Sequence, residues 1–134
     1  MGLDTSHDCW HGSYGSFMNW RASLSYFEMR ERGKSDEAAQ KIADMGTTRE
    51  AYTAALDGGF YDDMDTPINV LLGHSDCDGE IAAEDCAPLA DALQALADKY
   101  MPARALYDSM RPATDRFIAG LRKAAAANEA VVFA

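Results

Sequence analysis

Apolar side chains recur at helical spacing in three long stretches of the chain. The first covers residues 13–32, where four positions can share one buried face: Phe17, Trp20, Leu24 and Phe27. The second covers residues 83–101 and carries the clearest amphipathic pattern: Leu89, Leu93, Leu96, Ala97 and Tyr100. The third begins at Pro112 and repeats the spacing: Phe117, Ile118, Leu121 and Ala125. The pattern predicts three long helices.

Capping residues and glycines predict shorter helices after the first long one. Ser35 precedes an acidic turn and begins a helix that ends at Gly46. Thr47 and Glu50 have the spacing of a capping box, so a further short helix is expected up to Gly58.

Three other segments are predicted to form a loop, a short helix and a strand. The stretch 60–65 contains three aspartates and is typical of an acidic surface loop. Pro67 follows a threonine and favours the start of a short buried helix at 68–72. Residues 131–133 predict a closing strand, which we expect to pair with the chain start near Leu3.

The composition supports a helical fold. The chain has 134 residues, a usual size for one domain, and its 24 alanines stand against three valines and four isoleucines. We therefore expect a mainly α, single-domain compact helical bundle over residues 1–134, with one short β pairing between the chain termini.

The net charge of the chain disfavours some classes of binding partner. The formal net charge is −10, from 12 Lys and Arg against 22 Asp and Glu. Such a surface repels phosphate backbones and anionic membranes, so general nucleic-acid or membrane binding is not expected. The sequence has neither an apolar run long enough for a membrane span nor the pattern of a signal peptide, and we expect a cytoplasmic protein.

The candidate chemistry is concentrated in two short segments. All three histidines and all three cysteines fall within residues 7–11 and 74–86. If the first segment were helical, the i, i+4 spacing of His7 and His11 would place both imidazoles on one face, where they could bind one metal ion. Asp8 stands where a metalloprotease has Glu, which weakens a protease interpretation. The alternative is a hydrogen-bonded N-terminal cap in which Trp10 packs in the core and the histidines are ordinary polar partners.

The second segment partly resembles a calcium-binding loop. Asp76, Asp78 and Gly79 fit ligand and turn positions, but His74 and Asp85 are poor ligands at the first and last positions. A turn with Gly79 at a positive backbone angle, in which aspartates bind backbone amides, explains most of the pattern without an ion.

Folding the two segments together would assemble two overlapping sites. A zinc-like divalent metal site would use His7, His11, His74 and Asp76. A pocket for a small ligand would draw on a wider polar set: His7, His11, Tyr14, His74, Ser75, Asp76 and Arg122. Cys9 or Cys77, activated by a nearby histidine, is a third possibility as a thiol nucleophile.

Three sequence blocks together resemble a family. They are residues 2–14 (GLDTSHDCWHGSY), 74–81 (HSDCDGEI) and 117–122 (FIAGLR), and they are similar to small bacteriophage and bacterial proteins with no assigned activity. The resemblance implies that the three blocks act together and, in a phage setting, favours a host-directed role in the host cytoplasm. That family tends to end in Phe-His, whereas here Ala134 follows Phe133.

Three functions follow as hypotheses. The first is a small binding protein whose polar pocket holds a small ligand, such as a host nucleotide immune signal sequestered in an anti-defence role. The second is a metal-dependent, zinc-like hydrolase in which Asp8 or Glu80 handles the proton. The third is an acidic inhibitor that binds a host enzyme through the loop 60–65. The sequence favours a binding protein over an enzyme and is compatible with a homo-oligomer.

Overall fold

The computed structural model describes residues 2–31, 33, 35–37, 40, 67–72, 79–101 and 110–133. Most of the helix predicted at 35–46, the helix predicted at 47–58 and the acidic loop 60–65 lie outside these ranges. So does most of the central loop, from Gly73 to Asp78.

Helices dominate the described part of the chain, as predicted. They are α1 (Tyr14–Glu31), α2 (Ile68–Leu72), α3 (Ala83–Tyr100) and α4 (Met110–Ala127). The apolar positions expected to share one face of α1 are all buried, as are the leucines of α3. Helix α4 begins at Met110, before the predicted start at Pro112, which lies in its first turn and is tolerated there. Pro88 lies in the second turn of α3, and the helix continues through it.

Within the ranges that the structure describes, four short strands form two antiparallel pairs. Strand β1 (Gly2–Asp4) pairs with β2 (His11–Ser13), and β3 (Glu80–Ile81) pairs with β4 (Val131–Val132). The predicted pairing between the termini is present as a single bridge, Thr5 to Phe133. The regular partner of β4 is β3 and not the region of Leu3, which lies opposite Gly12.

An aromatic cluster lies where both ends of the chain meet α1 and α4. Phe17 is fully buried at its centre, with ring centroids 5.1 Å from Trp10, 5.8 Å from Trp20 and 5.8 Å from Phe133. Phe117 of α4 lies 4.9 Å from Trp20. Burial of such rings contributes both area and pairwise contacts to stability, so this cluster holds the N-terminal strands, α1 and α4 in place.

Arg111, at the start of α4, forms hydrogen bonds with the end of α3. Its Nη1 donates to the carbonyl oxygens of Ala97 and Met101, at 3.0 and 3.2 Å. Ala97 lies in the last turn of α3 and Met101 is its C-cap residue, so the guanidinium caps the end of that helix. Asp98 and Asp115 each accept from it at 2.9 Å, and these pairs hold the pKa of Arg111 above its ordinary value.

Gly120 allows the N-terminal turn to approach α4 closely. A Cβ at this position would lie 2.4 Å from Sγ of Cys9 and 2.8 Å from the carbonyl oxygen of His7. No side chain fits in that space. The N-terminal block and the FIAGLR block of the sequence are therefore in direct contact at this residue.

None of the helices within the described ranges combines the length and the apolar character that crossing a membrane requires.

Candidate functional site

The segment between β1 and β2 is a chain reversal, which corrects the helical interpretation of residues 7–11. Thr5 and Trp10 close it: the Thr5 amide donates to the Trp10 carbonyl at 3.1 Å, and the Trp10 amide donates to Oγ1 of Thr5 at 2.9 Å. Within it Ser6–Asp8 form a 3-10 turn in which His7 and Asp8 have φ of 59° and 60°. The i, i+4 argument for a shared metal therefore does not apply.

His7 connects this reversal to the C-terminal segment. Its Nδ1 lies 2.8 Å from Oγ of Ser6, and its Nε2 lies 3.1 Å from Oε1 of Glu129. The Ser6 hydroxyl accepts the amide of Val132 at 2.8 Å, so its proton can be donated to His7. Both ring nitrogens of His7 thus have protein partners, as in the hydrogen-bonded alternative.

His11 lies between two carboxylates on the surface. Its Nδ1 is 2.6 Å from Oδ1 of Asp4, and its Nε2 is 2.5 Å from Oδ1 of Asp8. Arg116 of α4 donates to the same Asp8 oxygen at 2.8 Å and to the Asp8 carbonyl at 3.2 Å. Because carboxylates only accept, both ring nitrogens of His11 carry protons in this arrangement. We call these four residues the Asp8 cluster.

The charges of the Asp8 cluster change the titration of its members. Hydrogen bonds that the His11 ring donates to Asp4 and, second in size, to Asp8 raise the pKa of His11 above its ordinary value. Hydrogen bonds from Arg116 and then His11 lower the pKa of Asp8. A lowered pKa makes Asp8 a weaker base. The hydrolase in which Asp8 or Glu80 handles the proton stays a prediction.

The pH dependence of His11 gives a direct test. Since its folded pKa lies above the unfolded value of about 6.5, its pairs stabilise the fold fully below that pH and are lost as pH rises through the raised pKa. An NMR titration of the His11 ring at low salt should have its midpoint above 6.5. Asp4→Asn should lower that midpoint, whereas Asp91→Asn, which alters a separate ion pair with Arg122, should leave it in place. A wild-type midpoint at or below 6.5 would contradict the pairing.

A cavity lined by described residues lies between the first half of α1 and the start of α4. Its volume is about 290 Å³. Two indoles form part of its wall, and the amide and hydroxyl groups of α1 lie beside them; the lining is Trp10, Ser16, Asn19, Trp20, Ser23, Met110 and Ala113. We call it the tryptophan cavity.

Some polar groups of this cavity already have hydrogen-bond partners in the protein, and others do not. The Nε1–H of Trp20 donates to Oγ1 of Thr114 at 2.9 Å, which fixes that indole. The Nε1–H of Trp10 is buried and has no acceptor in the described part of the chain. The Asn19 side chain is exposed and makes no hydrogen bond to the described residues. Asn19 can therefore donate to and accept from a ligand.

A smaller cavity connects this region with the Asp8 cluster. It has a volume of about 80 Å³, and His11 and Arg116 line it together with Cys9. Trp10 and Ala113 line both cavities. The two cavities are therefore neighbours that share part of their walls.

This chain matches no protein-family model, no curated protein and no solved structure.

Several residues predicted for the pocket or metal site lie outside the description. His74, Ser75 and Asp76 are not among the described residues, and of Tyr14 only the backbone at the start of α1 is described. The zinc-like site of His7, His11, His74 and Asp76 therefore stays a prediction. Within the described ranges no group of three His, Cys, Asp or Glu side chains could hold a metal ion. The reason at His11 is geometric, because its two carboxylates bind opposite nitrogens and do not converge.

Two further candidates lie elsewhere than expected. Arg122 is exposed, pairs with Asp91 of α3 at 3.1 Å and lines neither cavity. Cys9 is fully buried, and burial raises the pKa of its thiol to about 12, which disfavours the thiolate that a nucleophile requires. Cys77 lies outside the described residues. The expected positive backbone angle of Gly79 is confirmed, with φ of 91°.

Some cavity residues were not predicted from the sequence, although their spacing is helical. Ser16, Asn19, Trp20 and Ser23 follow one another at three-, one- and three-residue steps, which places them on one stripe of α1. Arg116 stands four residues before Gly120, so both face the N-terminal turn. Polar residues beside an apolar stripe were the available clue, but nothing in the sequence showed that Trp10 would lie opposite them.

Proposed function

We propose that this protein binds a small planar polar molecule, of the size of a nucleoside, in the tryptophan cavity. The observation that carries the proposal is the lining: aromatic surface from Trp10 and Trp20 lies next to the side-chain amide of Asn19, which makes no hydrogen bond to any described residue. Ligand sites combine apolar and aromatic walls with a few polar groups that fix orientation, and a volume of about 290 Å³ lies near the lower end of their range. Heterocyclic bases suit such a site because they present a π-face and hydrogen-bonding edges.

The proposed role is the small-ligand binding predicted from the sequence, but the residues that would bind the ligand are different. The tryptophan cavity is proposed in place of the pocket predicted from the sequence, which was to be lined by His7, His11, Tyr14, His74, Ser75, Asp76 and Arg122. In the phage setting that the family resemblance implies, the ligand would be a host nucleotide signal that the protein sequesters. Binding without turnover is consistent with the cavity, since the described residues of its lining supply hydroxyl groups and include no histidine or carboxylate that could act as a base.

The position of both tryptophans permits a direct binding assay. The chain has two tryptophans, and both line the cavity, so a bound ligand should change the intrinsic fluorescence of the protein. We expect adenosine, guanosine, cytidine or uridine to give a saturable change at one ligand per chain. If none of the four does so up to about 1 mM, where binding would be worth only about −4 kcal/mol, the proposal fails.

Filling the cavity should abolish that binding. Ala113 is half-buried on the cavity wall, and in Ala113→Leu the larger side chain would occupy ligand space. We expect affinity for the bound nucleoside to fall at least about tenfold, which corresponds to about 1.4 kcal/mol. Ala126→Leu places the same side chain on an exposed position of α4 and should leave affinity unchanged. Unaltered affinity in Ala113→Leu, with thermal unfolding like that of the control, would place the ligand elsewhere.

A further inference from the structure

One carboxylate oxygen of Asp8 lies between two cationic donors. His11 Nε2 is 2.5 Å from this oxygen, and Arg116 Nη2 is 2.8 Å from it. Asp4 holds the opposite ring nitrogen of His11 at 2.6 Å and so fixes the direction in which Nε2–H points. The two donors form an arrangement that recognises a single anionic oxygen with charge-assisted hydrogen bonds.

Asp8 itself occupies this position under strain and in contact with solvent. Its backbone has φ of 60°, in the left-handed region that residues other than glycine adopt at a cost, and the preceding His7 has φ of 59°. Its side chain is 60% exposed. Another anion could therefore reach the two donors from solvent while the Asp8 side chain turns outward.

The two donors lie next to the tryptophan cavity, and this position indicates which chemical groups the ligand carries. His11 and Arg116 line the 80 Å³ cavity, which shares Trp10 and Ala113 with the larger one. The smaller space accommodates a compact group rather than a second ring. A molecule with its ring in the larger cavity would carry its substituent towards these two cations.

We infer that the ligand joins a heterocycle to a phosphate group, and that the phosphate displaces the Asp8 carboxylate from Arg116 and His11. The inference rests on the proposed function, because it assigns the second half of the same site. Asp8 then acts as an internal substitute for the ligand anion, which keeps the two cations paired until the ligand arrives. No bond is made or broken in the exchange.

The test compares each nucleoside with its 5′-monophosphate, using adenosine, guanosine, cytidine and uridine at constant ionic strength. For the base that binds, we expect the monophosphate to bind about tenfold more tightly than the nucleoside to wild-type protein. In Arg116→Gln that preference should disappear while nucleoside affinity is retained. Lys99→Gln removes one positive charge from an exposed ion pair with Glu31 that lines neither cavity, and it should keep the preference. Asp8→Asn should increase the preference, since the internal competitor loses its charge.

A second measurement does not depend on any variant. The monophosphate, and not the nucleoside, should shift the NMR signals of the His11 ring in the wild-type protein. If a nucleoside binds but its phosphate adds no affinity and leaves His11 unchanged, the inference is wrong and the proposed function stands. A phosphate preference that survives Arg116→Gln also overturns it. If neither compound binds, the proposed function and the inference both fail.

Discussion

Replacing Gly120 by alanine is expected to lower the free energy of unfolding by about 3 kcal/mol. The new Cβ would lie 2.4 Å from Sγ of Cys9, 2.8 Å from the carbonyl oxygen of His7 and 3.0 Å from Cα of Cys9. Two of these atoms belong to the backbone, so relief would require moving the whole turn away from α4. Helix propensity alone would act in the opposite direction, by about 1 kcal/mol in favour of alanine.

A neighbouring position separates the two effects. Ala119 is exposed on the same helix, and there the reverse change, Ala119→Gly, should cost about 1 kcal/mol from propensity. Urea denaturation of both variants would show alanine preferred at one position and glycine at the next. In a double-mutant cycle, Cys9→Ala should recover part of the loss in Gly120→Ala, because it removes the sulfur atom from the contact. Equal or greater stability of Gly120→Ala would refute the close approach.

Truncation of Phe17 should be the most destabilising change in the aromatic cluster. The side chain is fully buried, and four other aromatic rings lie within 6.4 Å of its centroid. The guanidinium carbon of Arg21 lies 4.4 Å from the centre of the ring. Phe17→Ala removes these contacts and leaves a void, with an expected loss of about 3–5 kcal/mol. Total stabilities are commonly about 5–15 kcal/mol, so the variant should be close to unfolding.

Chemical denaturation would measure this loss, with two comparisons. Phe17→Leu keeps much of the volume and should fall between wild type and Phe17→Ala. Val132→Ala truncates a side chain that is 46% exposed and should change stability by no more than about 0.5 kcal/mol. If Phe17→Ala and Val132→Ala cost the same, Phe17 does not hold the cluster together.

The long helices were predictable because burial imposes a period on the sequence. Phe17, Trp20, Leu24 and Phe27 identify the inner face of α1, and the leucines of α3 do the same. The hairpin at the N-terminus was not predictable in this way, because its strands have three residues each and no useful period. Its reversal depends on positive φ at His7 and Asp8. A glycine at these positions would have indicated a positive φ, whereas His and Asp do not.

The candidate site was predictable only in its parts. Clustering of histidines drew attention to the N-terminal block, and that block does contribute Trp10 and His11 to the two cavities. The residues that complete the site come from α1 and α4, and Arg116 lies 108 positions after its partner Asp8. Side chains so distant in sequence meet through tertiary packing, which local pattern does not encode. Asn19 and Arg116 therefore looked like ordinary exposed residues of a helix.

The joining of both chain ends has a consequence for biosynthesis. The Ser6 hydroxyl accepts the amide of Val132, and Thr5 bridges to Phe133, so the first turn is completed by residues more than 120 positions later. Contacts of such sequence separation form late, because the intervening chain must close a long loop. During translation α1 and α3 can emerge and pair, but the N-terminal turn cannot acquire its full set of contacts until residues 131–133 have left the ribosome. Arg116 and the rest of the Asp8 cluster would therefore reach their final arrangement only once those residues are free of the exit tunnel.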